Sequence, residues 1–209
     1  MTPATGTSSE EITRSLAIKR NNALTALAVG GALAVLAARA YGFGPYGTGA
    51  VYGLLAGLVY ANLFEYVLHR YLLHWGHGFL VGRHALHHDS AGTPQEARYV
   101  NFATSPWVVV LLFASNALPV FAVEQLLHLG LASGMLAGFT VYYILYEEIH
   151  WRMHLGGWLP AWLQAARRHH MLHHGGFEGR YNVFLPLCDW IFQHRHWKPS
   201  ASGPTTTRR

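Results

Sequence analysis

The chain has 209 residues, enough for one domain but not comfortably for two. Hydrophobic residues make up 51% and charged residues only 12%, about half the charged fraction usual for a soluble domain, with a formal net charge of +5. No basic helix face or RNA-binding signature accompanies that charge, which excludes nucleic acid as a partner. The single cysteine, Cys188, excludes an intramolecular disulfide and a cysteine zinc site.

In chain order, residues 1–20 read as an N-terminal cytoplasmic segment, with Met1 to about Glu10 rich in Thr, Ser, Pro and Gly and so disordered at its start. A first apolar stretch runs from about Ala23 to Ala40. It is longer than a signal core and follows a long, partly acidic leader, so it reads as a membrane span and not as a cleaved signal peptide. A second runs from about Thr48 to Leu68, with Gly49, Gly53 and Gly57 at the spacing that lets helices approach closely. The third, about Pro106 to Val123, is interrupted by Asn116 and Pro119, which leaves a re-entrant or shallow segment as its alternative. The fourth is about Leu127 to Tyr146, with Gly134 and Gly138 at the same small-residue spacing. Each is near the roughly 20 residues that cross a bilayer core. The tail from about Pro199 to Arg209 again reads as disordered.

Charge sets the orientation. Arg14, Lys19 and Arg20 precede the first span, Arg70, Arg83 and Arg98 follow the second, and Arg152 with every later basic residue follows the fourth. Only Arg39 falls in the opposite loops, so 14 of the 15 basic residues share a side, which the positive-inside rule makes cytoplasmic. The expected architecture is all-α and integral to the membrane: about four transmembrane helices in two hairpins, with both termini on the cytoplasmic side of an inner membrane.

Each hairpin returns the chain to that side where a histidine window opens. Twelve of the 15 histidines lie in His69–His88 or His150–His174. Ten form four clusters with spacings HX4H, HX2HH, HX3H and HX2HH: His69 and His74; His84, His87 and His88; His150 and His154; His170, His173 and His174. Imidazole is the commonest transition-metal ligand. Residues at i, i+3 and i+4 share a helix face, so several rings of one cluster can aim at one metal. His69 and His74 diverge by roughly 140° on a regular helix and can both serve only if the helix ends or distorts near Arg70–Leu73, or if they face different metals. Ten rings exceed the four to six ligands of one ion, which argues for two metals. Carboxylates are too scarce for a ferritin-like site. Glu65, Glu147 and Glu148 are candidates to orient a ligand ring, or else membrane-edge partners of Arg70 and Arg152. His128 reads as a plain surface residue on the far side, His77 and His169 adjoin clusters without completing a spacing, and His194 and His196, about twenty residues past the last cluster, are either plain residues or candidates to line a site mouth. Tyr66, Tyr71, Trp75, Tyr143, Tyr146 and Trp151 sit where they would line a lipid path or anchor the interface.

With these motifs the sequence resembles the fatty acid hydroxylase/sterol desaturase superfamily of membrane di-iron oxygenases, over roughly Asn62 to Gln193. The resemblance rests on Glu65-Tyr66-Val67-Leu68-His69-Arg70, His84-x-x-His87-His88 and His170-x-x-His173-His174, followed by Asn182 and Asp189-Trp190-Ile191-Phe192. The HX3H third cluster looks most like fatty acid 2-hydroxylases, and the short gap from His74 to His84 looks like bacterial carotenoid hydroxylases. The resemblance implies a membrane domain over 21–198, capped by cytoplasmic helices that hold two iron ions on the ten clustered histidines. Asn182 and Asp189 join the residues around them. It implies O2 as co-substrate, hydroxylation of a lipid C–H bond, and electrons from a separate ferredoxin or cytochrome with its reductase, since no haem or nucleotide motif is present. A carotenoid ring hydroxylase or lipid desaturase of the same superfamily, and a membrane zinc enzyme without oxygen chemistry, are the alternatives.

Overall fold

Every element in the computed structural model, which describes residues 6–44, 47–176 and 179–192, is helical. The order is α1 (Ser9–Tyr41), α2 (Gly49–Val67), a π-helical segment (Leu68–His74), α3 (Phe79–Ser90), α4 (Glu96–Tyr99), α5 (Pro106–Leu127), α6 (Ala132–Leu155), α7 (Ala161–His174) and α8 (Leu187–Phe192). Residues 1–5 and 193–209, which include the expected irregular tail and both His194 and His196, lie outside the described residues.

Capping groups set the helix starts. The Ser8 side chain accepts from the Glu11 N–H at 3.1 Å, with Glu10 and Glu11 in the first turn where the helix dipole favours anions. Ser105 caps α5 from its side chain, and Pro106 takes the first-turn position that needs no N–H. Helix α1 therefore starts at Ser9, well before Ala23, because hydropathy marks only its apolar part. Its 33 residues make a rod of roughly 50 Å, longer than a hydrocarbon core of about 30 Å. The third stretch is one continuous 22-residue helix with Pro119 inside it. Asn116 is satisfied there by accepting from the Tyr60 hydroxyl at 2.8 Å and donating to the Leu112 carbonyl at 2.8 Å.

Three helices, Ser9–Tyr41, Gly49–His74 and Pro106–Leu127, are long and apolar enough to cross a membrane. The stretch expected as a fourth span falls in α6, which packs against α1, α2 and α5. Enclosed on those sides, α6 buries Ser133, Thr140, Glu147, His150 and His154. Against α2 the small residues interlock. A Cβ at Gly53 would lie 2.3 Å from the Leu131 carbonyl oxygen and one at Gly57 2.3 Å from that of Met135. On the α6 side, a Cβ at Gly134 would lie 2.3 Å from the Ala50 oxygen and one at Gly138 2.4 Å from that of Leu54. Both glycine series thus serve contact within the chain. At the far end Glu124, 3% exposed, accepts from the N–H groups of Gly130, Leu131 and Ala132 and closes the α5–α6 turn. His128 is exposed there in a left-handed conformation (φ 50°) at the end of α5.

Candidate metal centre

The seven residues of the π segment that follows α2, Leu68–His74, decide whether the first histidine pair can act together. Over Leu68–His74 the backbone widens to a π-helix, whose i→i+5 pattern lets His74 stand where the i+4 residue of an α-helix would stand relative to His69. The distortion falls where the pair requires it. The two rings lie 5.1 Å apart and belong to one nitrogen cluster.

The ten rings form two groups of five, His69, His74, His84, His88 and His173, and His87, His150, His154, His170 and His174. In each group one ring nitrogen per residue lies within 4.8 Å of all the others. The HX2HH clusters do not each face one centre. From α3, His84 and His88 join the first group and His87 the second; from α7, His170 and His174 join the second and His173 the first. The reason is helical: i+3 and i+4 project about 100° apart, so a cluster lying between two centres serves both. The groups touch, with His88 and His174 stacked at 4.3 Å between ring centroids.

In the first group the Nε2 atoms of His69, His84, His74 and His173 form a closed ring with every edge 3.0 Å, and His88 Nε2 lies 3.0 Å from that of His84. A square of that edge has its corners about 2.1 Å from its centre, the usual metal–imidazole distance. Hydrogen bonds alone do not account for the ring. His69 Nδ1 faces the Tyr181 carbonyl and His173 Nδ1 faces the Gly179 carbonyl at 2.9 Å. A carbonyl only accepts, so both Nδ1 atoms carry the proton and both Nε2 atoms present lone pairs. Two lone-pair nitrogens 3.0 Å apart repel each other unless a cation lies between them.

The second group repeats the pattern. His170 Nε2 lies 3.0 Å from His154 Nε2 and 3.1 Å from His174 Nε2, while the Nε2 atoms of His87 and His150 are buried with no hydrogen-bond partner. Burial, reinforced by neighbouring imidazoles, pushes His88 down to about 4 and holds His84, His87, His170, His173 and His174 well below the usual histidine range. The rings are therefore neutral near pH 7, the state in which they bind metal. Donor type, spacing and orphaned nitrogens all fit two metal ions.

Around the rings, backbone and carboxylates fix orientation. Glu96 Oε1 lies 2.7 Å from His154 Nδ1, with the two side chains 5% and 0% exposed. Asp189 accepts from the Tyr181 and Asn182 N–H groups at 2.9 and 3.0 Å and pairs with His169 Nε2 at 2.9 Å. Glu65 accepts from Val183 N–H at 2.7 Å, Asn182 Nδ2 at 3.1 Å and the Tyr142 hydroxyl at 2.5 Å. Asn182 Nδ2 also donates to the Asn62 carbonyl at 2.9 Å. Glu65, Asn182 and Asp189 thus brace the segment whose carbonyls hold His69 and His173, one step removed from the rings. Glu147 is buried beside the Tyr143 hydroxyl at 3.3 Å, and Glu148 pairs with Lys19 and Arg152 at 2.6 and 2.5 Å. Glu96 was outside the sequence-derived set. Its signal is weak: an acidic residue eight positions past His88, on a four-residue helix, followed by a buried alanine.

A cleft runs from between the membrane helices to both groups. His69 and His84 of the first and His87, His150 and His170 of the second line it, and Ala61, Leu68, Val108, Leu112 and Phe139 form its apolar wall. The space within it that admits a water-sized sphere is about 110 Å³, and the cleft is partly open to the outside. Of the aromatic residues considered for such a path, Tyr143 and Tyr146 line it. Tyr66, Tyr71 and Trp75 gather around the Arg70 guanidinium, and Trp151 donates to Ser15 at 3.0 Å. His77 is exposed.

A sequence model of the fatty acid hydroxylase family matches residues 54–194. Among solved structures the chain is similar to one described as full-length Scs7p with only the hydroxylase domain visible, at a TM-score of 0.60 and 25% identity. The similarity covers 84% of this chain and 65% of that one, so the chain spans just under two thirds of its neighbour. No curated protein matches the sequence significantly.

Proposed function

The chain belongs to the fatty acid hydroxylase family, and we propose that it hydroxylates a C–H bond of a membrane lipid, using O2, two iron ions and electrons from a separate ferredoxin or cytochrome with its reductase. The observation that carries this reading is the apolar cleft that ends on rings of both histidine groups. Such a shape suits a long apolar substrate whose reactive carbon must reach a metal pair. His69, His74, His84, His88 and His173 would hold one ion and His87, His150, His154, His170 and His174 the other. When bound, the ions supply the O2 activation that no side chain can provide.

The chain's own residues do the rest. Apolar walls exclude water and position the lipid, which keeps oxidising chemistry on one carbon. Glu96 and the Tyr181 and Gly179 carbonyls fix the tautomers of His154, His69 and His173 so that the Nε2 atom of each presents a lone pair inward. We read α6 as a fourth span within one membrane domain over 21–198, a reading supported by its 24-residue length and its packing against α1, α2 and α5. The basic bias supports a cytoplasmic site with both termini on that side of an inner membrane.

The test is isotopic. Iron-loaded protein with a chemical reductant, given membrane lipid under ¹⁸O2, should place the label in a lipid hydroxyl. His173→Ala and His87→Ala, one from each group, should each lower bound iron towards one ion per chain and abolish labelling. Unlabelled lipid from the wild-type protein, or full labelling by either variant, sinks the reading.

A further inference from the structure

The apolar cleft shares its outer wall with a second, polar cleft. Phe79, Arg83 and Thr104 line both. Beyond them the polar cleft is lined by Arg14 from α1 and Arg98 from α4. Three arginines from three helices therefore line the polar cleft that borders the apolar one. The Arg83 and Arg98 guanidiniums lie 5.3 and 5.5 Å from the Tyr99 ring, which itself lines the apolar side. Glu11 is the one carboxylate lining this cleft, and its carboxylate meets the Ser8 hydroxyl at 3.4 Å. None of the three arginines forms an ion pair among the described residues. Ordinary surface arginines scatter or pair with acids; these converge, stay uncompensated and border an apolar channel.

From this juxtaposition we infer that the lipid carries an anionic head, a phosphate or carboxylate, seated on Arg83 with Arg14 and Arg98 while its chain runs down the cleft to the histidines. The inference rests on the cleft being the lipid site and adds the substrate class. Guanidinium forks match both oxyanions in geometry and charge. The exposed Phe79 ring (72%) at the shared wall suits the head-group level, where aromatic side chains concentrate. A head fixed at this point also fixes how far along the chain the reacting carbon lies, so the arginines would set which position is oxidised.

The experiment is equilibrium binding to the metal-loaded full chain in an uncharged detergent, which removes any membrane surface potential. The probes are radiolabelled hexadecyl phosphate and radiolabelled methyl palmitate, with inorganic phosphate as competitor. The phosphate lipid should bind roughly tenfold or more tighter than the ester. Arg83→Gln, and independently the exposed double variant Arg14→Gln/Arg98→Gln, should erase most of that preference. Leu112→Trp, which fills the apolar cleft, should weaken both probes. Equal binding of the two probes, preference retained in both arginine variants, or inorganic phosphate competing as well as the phosphate lipid overturns the head-group assignment alone. Leu112→Trp weakening neither probe overturns the cleft as lipid site, and the head-group assignment with it.

Discussion

Glu96 of α4 holds His154 of α6, with its carboxylate oxygen 2.7 Å from Nδ1 and both side chains almost wholly enclosed. This contact orients one ring of the second group, and such partners typically change metal affinity by about 10–100-fold when removed. Glu96→Ala should therefore weaken metal binding by that order at one site of two, while Glu96→Gln, which keeps an acceptor oxygen, should retain most of it. Titration against a competing chelator measures both. Equal loss at the two sites would point to general unfolding of the metal centre instead.

The histidine spacings made the ten rings legible from sequence, and the requirement for a distorted helix between His69 and His74 pointed to Arg70–Leu73, inside the π segment that forms there. What spacing alone does not convey is how the rings divide. His87 and His173 each cross to the group opposite their own cluster, because the division depends on where α3 and α7 lie relative to two centres, and that is tertiary. Glu96 and the Tyr181 and Gly179 carbonyls are equally tertiary: a carbonyl has no sequence signature, and an isolated glutamate looks like any surface acid. The apolar runs located α2 and α5 closely but understated α1, whose first fourteen residues are polar enough to escape a hydropathy reading. Enclosure by α1, α2 and α5 explains why α6 carries more polar residues than a lipid-facing span.

Close contact of α2 with α6 carries a stability prediction. A methyl group at Gly57 would lie 2.3 Å from the Met135 carbonyl oxygen, a rigid backbone atom that cannot yield without separating the helices. Gly57→Ala should cost about 1–3 kcal/mol, as overpacking does. At Gly31 a Cβ meets nothing within 4 Å, so Gly31→Ala should be neutral or stabilise by up to about 1 kcal/mol through helix propensity. Thermal unfolding in detergent, followed by circular dichroism, compares the two, and a Gly57→Ala variant as stable as Gly31→Ala would refute the close-packing account.

Stability should also depend on pH through the buried rings. His88 titrates at about 4 when folded and near the ordinary histidine value of 6.5 when unfolded, because burial penalises its charged form. Between those values the unfolded chain binds more protons than the folded one, so stability falls as pH falls from about 6.5 towards 4. His84, His87, His170, His173 and His174 are shifted in the same direction and steepen the fall. Metal binds only neutral imidazole, so acid should also release it over that range. Chelator-treated protein should lose thermal stability progressively from pH 7 to pH 5. A flat profile would mean that the rings are not neutral and enclosed in solution.

The cleft gives the sharpest separation between holding metal and acting on lipid. Ala61, 3% exposed, lines the apolar wall about two helical turns before His69, with Phe139 lining the same cleft. Ala61→Phe should therefore place a ring in the path of the chain without touching a ring nitrogen or its orienting partner. Metal content should stay at the wild-type level. Oxidation of long-chain lipid should fall by at least roughly tenfold, the order expected when a well-filled apolar site is blocked. Because the obstruction lies about two helical turns from His69, shorter chains that end before Ala61 should keep most of their turnover. Measuring iron and turnover on the same preparation across a chain-length series decides the matter. Turnover unchanged at every length with metal retained would mean that the chain reaches the histidines by a path that does not pass Ala61.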